Sequence, residues 1–119
     1  MGEMILPSEE MYVSLVRSSG GLAGVFEYTD HTGYFYLYDQ TRKSGQRVVE
    51  AIHVISGEPD FSESDLEVRW TRGEDKVGLF IRGKLRAVFD ERQRFGGDYR
   101  ADARPNIPAA IVAAFGTTP

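Results

Sequence analysis

Two histidines, six tyrosines, one tryptophan and no cysteine set the chemistry open to this 119-residue chain. Without Cys there is no thiol nucleophile, thiolate metal site or disulfide framework. His31 follows Asp30 in a turn-forming stretch, where both residue types hydrogen-bond locally and tolerate left-handed backbone. Catalysis or metal binding at His31 needs partners supplied by the fold. His53 lies in the β-branched run 48–55, and strict alternation puts it on one face with Val49, Ala51 and Ile55. That makes it a hydrogen-bonded core or interface histidine, or, in its functional version, a general base or pH-sensitive group.

The other reactive groups give weaker patterns. No G-x-S-x-G elbow presents a nucleophilic serine, so the serines read as strand and loop residues. The carboxylate pairs Glu9-Glu10, Glu74-Asp75 and Asp90-Glu91 fall in turns, where solvation accounts for them. A glycosidase-like pair would also require a cleft. The glycines of Gly20-Gly21-Leu22-Ala23-Gly24 lack the lysine and following helix of a phosphate-binding loop, and read as a turn with a bulge.

The aromatic residues are more specific. In Gly33-Tyr34-Phe35-Tyr36-Leu37-Tyr38-Asp39, alternation in a strand sends Tyr34, Tyr36 and Tyr38 to one face and Phe35 and Leu37 to the other. Two bulky faces predict a central strand with one side in the core. Its other side lies under a loop, a helix or a partner. Tyr and Trp supply large contact area with a polar tip, so Tyr34, Tyr36, Tyr38 and Trp70 are candidate binding residues, with His53 beside them. The competing reading buries the Tyr rings in a wide core or under a C-terminal helix.

The elements that position these residues are strands. Segments 11–18, 22–29, 33–39, 48–55, 66–71, 77–81 and 85–90 carry strand patterns, and 99–103 adds a short last one. Gly24 marks a bulge or a close approach inside the second strand. Arg82-Gly83-Lys84 is a tight reversal whose register stays open between an Arg-Gly and a Gly-Lys turn. Pro108 followed by an Ala-rich run starts a short helix that docks through Ile111, Val112 and Phe115. The prediction is a mainly β fold, an antiparallel sandwich or partly open barrel of about seven strands with one short C-terminal helix. The alternative is an α+β fold with a bent sheet wrapped around that helix. Residues 1–119 are expected to form a single domain with its core over about 11–115.

These strand residues resemble a family of small bacterial domains of unknown function. The pieces that carry the resemblance are Val25-Phe26-Glu27, Thr32-Gly33-Tyr34-Phe35-Tyr36 with Tyr38-Asp39, and Ala51-Ile52-His53. Trp70, Ile81 with Gly83, Ala87-Val88-Phe89-Asp90 and Tyr99-Arg100 continue it. The resemblance spans residues 11–100 and implies an uncharacterised bacterial domain. It brings no activity and no catalytic residue.

Charge narrows the function class. Net charge is −4, with 4 basic and 11 acidic residues in 1–66 and 10 basic and 7 acidic residues in 67–119. The acidic balance argues against nucleic acid, and the aromatic stripe falls in the acidic half. No apolar run reaches the ~20 residues that cross a bilayer, and the acidic N-terminus is unlike a secretory signal. We therefore expect a cytoplasmic module without a cofactor or bound metal, non-enzymatic, that binds another protein or itself through the Tyr face or an exposed sheet edge. The alternative is a small-molecule-binding or hydrolytic barrel with His53, Tyr36 and Trp70 around a pocket.

Overall fold

The computed structural model describes residues 10–91, 93–100 and 104–116. Strands β1 (Met11–Val16), β2 (Leu22–Thr29), β3 (Thr32–Asp39) and β4 (Val48–Ser56) form one antiparallel meander. A second meander contains β5 (Leu66–Trp70), β6 (Lys76–Ile81), β7 (Lys84–Asp90) and β8 (Gln93–Gly96). The two four-stranded sheets stack in the same order, with β1 against β5, β2 against β6 and β4 against β7 and β8. The result is an open sandwich, and the wrapped-helix alternative is excluded because both faces of the core are sheet.

Short turns set the registers. Thr29 pairs with Thr32, leaving Asp30 and His31 as the two central turn residues, both at positive φ (52° and 62°). Ile81 pairs with Lys84, so the reversal is an Arg82-Gly83 turn with φ of 52° and 79°. Positive φ at both central positions matches the right-handed twist of the flanking strands.

The core grows from the inward rows. Val13, Phe26, Phe35 and Ile52 stand opposite one another across the first sheet. Phe26 and Phe35 are fully buried, and Phe35 stacks on Phe89 of the second sheet with ring centroids 5.3 Å apart. Gly24 is a close approach rather than a bulge, because a Cβ there would lie 2.6 Å from Val77 Cγ2.

Helix α1 (Ala109–Ala114) lies on the outer face of the second sheet, where Ile111 and Phe115 join Phe80, Leu85 and Val88. Val112, expected to dock with them, is exposed instead, since a helix this short presents only one narrow apolar side. The helix therefore does not cover the Tyr rings. No helix of the described chain is long and apolar enough to cross a membrane.

The last strand is also corrected. It is Gln93–Gly96, pairing with 87–90, whereas Tyr99 and Arg100 are irregular and 101–103 lie outside the described residues. With Phe95 its one large apolar residue, β8 offers no alternation to read. Beyond it, Gly97 (φ 97°) passes so close to β4 that a Cβ would sit 2.6 Å from the His53 carbonyl oxygen. The next amides, of Asp98 and Tyr99, donate to the carbonyls of His53 and Val54.

Candidate functional site

The outer face of the first sheet is an ordered array. Register places Tyr12, Glu27, Tyr34 and His53 in one row across all four strands. Ser14, Val25, Tyr36 and Ala51 form the next row, and Val16, Ala23, Tyr38 and Val48 the third. Tyr34, Tyr36 and Tyr38 thus share one face as alternation requires, while Phe35 and Leu37 are buried on the other.

The rings are organised. Tyr34 and Tyr36 stack with centroids 5.9 Å apart, and His53 meets Tyr34 edge-on at 5.3 Å. Partial burial, then the nearby Glu27 carboxylate and Tyr34, push the Tyr36 phenol above its ordinary value of 10.0. Tyr36 therefore stays a neutral hydrogen-bonding group across the physiological range. Four of the large apolar side chains most open to solvent stand on this face: Tyr12 at 58% exposure, Val48, Val16 and Tyr34 at 36%.

His53 departs from the alternation pattern for a local reason. Two irregularities interrupt the pairing of β3 with β4, between Gly33 and Tyr34 and between Leu37 and Tyr38. A bulge inserts one residue and flips the sequence parity beyond it. Ile55 accordingly pairs with Gly33 and is buried, while His53 pairs with Tyr34 and is exposed. His53 is not a core residue.

His53 Nε2 lies 2.8 Å from Ser56 Oγ, and no carboxylate holds the other ring nitrogen among the described residues. A nucleophile–base pair works when a third group orients the base. Among the described residues no third group orients this exposed pair, and what it shows is a hydrogen bond between imidazole and hydroxyl. A shallow cavity of about 500 Å³ beside it is lined by Tyr34, Ala51, His53, Arg94 and Asp98. Arg94 reaches from β8 to Glu50 Oε1 and the Ala51 carbonyl oxygen, each at 3.0 Å, and pins that edge.

Trp70 is elsewhere. It ends β5, next to β1, with its indole N–H donating to the Leu15 carbonyl oxygen at 3.0 Å and the Arg17 guanidinium 5.7 Å over its ring. It lines a different cavity, of about 340 Å³, between the sheets with Leu22, Leu37, Val77 and Phe89. His53 is on the opposite edge strand of the first sheet, so a pocket formed jointly by His53, Tyr36 and Trp70 does not assemble. His31 sits in its turn with Nδ1 3.5 Å from Glu58 Oε1, both well exposed. Among the described residues, no group of three or more acidic, His or Cys side chains is placed to hold a metal ion.

Sequence patterning pointed to Tyr34, Tyr36 and Tyr38 but not to Tyr12 and Glu27, which register brings beside them. The alternation of Tyr12, Ser14 and Val16 along β1 was the available signal.

Residues 5–110 match the family described as an uncharacterized protein conserved in bacteria (DUF2251). Comparison with curated proteins and with solved structures gave no match. The chain belongs to this bacterial family.

Proposed function

We propose that this family member is a non-enzymatic protein-binding module whose contact surface is the outer face of the first sheet. Tyr34, Tyr36 and Tyr38 form its centre, and Tyr12 and His53 end its first row. One observation carries the reading: α1 packs on the outer face of the second sheet, whereas on the outer face of the first Tyr12, Val16, Tyr34 and Val48 are exposed to solvent. Aromatic groups with polar tips, exposed at Tyr12 and Tyr34 and half-buried at Tyr36 and Tyr38, are held in register by the sheet and suit recognition of another protein or of a second copy. The acidic half that builds this sheet disfavours nucleic acid, and the absence of Cys fits a reducing cytoplasm. Trp70 serves packing and lies outside this surface.

The test replaces Tyr34, Tyr36 and Tyr38 with Ser and compares wild type and variant in capture from the source cell's lysate. A partner held by wild type and lost by a still-folded variant supports the reading. Capture that survives the triple substitution overturns it.

A further inference from the structure

We infer that the occupant of this face is a basic segment of a second protein, which sets an Arg or Lys side chain against Glu27 between the rings of Tyr12 and Tyr34. The inference rests on the protein-binding reading above and names the chemistry of the partner.

Tyr12 and Tyr34 flank Glu27 on the neighbouring strands. Strands in a sheet lie about 4.8 Å apart, so each ring is anchored about 5 Å from the column of the carboxylate. A cation resting on Glu27 is then within the ~6 Å over which an aromatic face attracts it. Carboxylate and rings act on the same guest, one by charge and the others by their π faces.

Glu27 is available for this. It is exposed, and among the described residues no cation pairs with it. The carboxylates that share its cavity are engaged: Glu63 with the Tyr12 amide and Glu10 with the Thr29 hydroxyl. Tyr12 and Glu27 also line a cavity of about 280 Å³ with Glu10 and Glu63, and among the described residues that line it none is basic.

Charge and size both argue against a second copy meeting this face with its own. Glu27 is the one Asp, Glu, Lys or Arg in the three rows, so the same face of a second copy brings its own carboxylate and no Lys or Arg to pair with it. Three rows across four strands give a footprint of roughly 300–400 Å², at most half of the ~800 Å² per partner in a standard stable interface. A short basic segment matches both sign and area.

The experiment follows backbone amides by NMR during titration with the capped peptide acetyl-Arg-Val-Arg-Val-Arg-amide. The controls are peptides with Glu or Ser in place of Arg. Saturable shifts at Tyr12, Glu27 and Tyr34 are expected with the Arg peptide and not with the Glu peptide. Glu27→Gln should raise its Kd fivefold or more. Glu67→Gln, an equal charge change on the outer face of the second sheet, should raise it less than twofold. Equal effects of the two substitutions overturn the inference, as do Arg-peptide shifts confined to other surfaces. Concentration-dependent shifts of these amides in protein alone would make a second copy the occupant and overturn it too.

The two readings fail separately. If Ser and Arg peptides bind this face alike and the folded triple-Tyr variant loses both, the protein-binding face stands and its preference for cations falls. If the triple-Tyr variant binds the Arg peptide as wild type does, the face itself is wrong.

Discussion

The Glu74 carboxylate accepts two hydrogen bonds from Ser18, one from its amide at 2.9 Å and one from its hydroxyl at 2.5 Å. This contact ties the turn between β5 and β6 to the end of β1, and so one sheet to the other. Hydrogen bonds to the charged form favour it, and the side-chain and backbone bonds from Ser18 hold Glu74 below its ordinary value of 4.5. Hydrogen bonds from Thr41 do the same for Asp39, and those from Thr71 and Lys76 for Asp75, both below 3.8.

A pH dependence follows with a definite sign. A carboxyl whose folded value is depressed binds fewer protons folded than unfolded. Its contribution is complete above the unfolded value and disappears as pH falls through the folded one. Thermal midpoints should therefore hold steady down to about pH 5 and fall below it. Glu74→Gln should lower the midpoint at pH 7 and flatten the decline between pH 5 and 3. An equally steep decline in the variant would remove Glu74 as a contributor.

Adjacent residues on β3 should respond in opposite ways. Phe35→Ala removes a fully buried ring stacked on Phe89 and should destabilise by about 3–5 kcal/mol. Tyr34→Ser, on the solvent side, should cost no more than about 1 kcal/mol. Urea unfolding of both variants checks the pair, and similar losses would contradict the assignment of faces.

Gly24→Ala places a methyl group 2.6 Å from Val77 Cγ2, 3.0 Å from Val68 Cγ1 and 3.2 Å from the Phe35 ring. Overpacking of this kind should cost about 1–3 kcal/mol. Val77→Ala in the same chain should recover part of the loss, so a double-mutant cycle in urea would show favourable coupling. Additive effects would mean that the sheets do not meet at this point.

His31→Gly should stabilise the protein. His31 holds φ of 62° as the second central residue of a two-residue turn, and the change creates Asp-Gly, a sequence that this turn favours. The gain expected is about 0.5–1 kcal/mol, given that a side chain in the left-handed region costs about 1–2 kcal/mol. The exposed contact with Glu58 subtracts little from it. A clear loss of stability in thermal or urea unfolding would show that the imidazole matters more than the backbone.

Much of the fold was legible because it depends on alternation and turn chemistry. Tyr34–Phe35–Tyr36–Leu37–Tyr38 reported both faces of β3, and the hairpin from β2 to β3 followed from its short polar connection. His53 was not legible, because two bulges in the β3–β4 pairing reset the parity by which faces are counted. The place of α1 depends on which outer face is more apolar, which needs the registers of β6 and β7. Trp70 and His53 look alike as candidates along the chain, and only strand order puts them on opposite edges of the molecule.

The two borders of the first sheet have a consequence for solubility. Glu63, Trp70 and Glu74 hydrogen-bond along the backbone of β1 and its end, and the amides of Asp98 and Tyr99 close on β4. Strands fenced in this way are poor templates for further strands, the growth step shared by amyloid and domain-swapped polymers. At these positions the first sheet's borders are closed to an added strand, while its outer face keeps Tyr12 and Tyr34 in solvent.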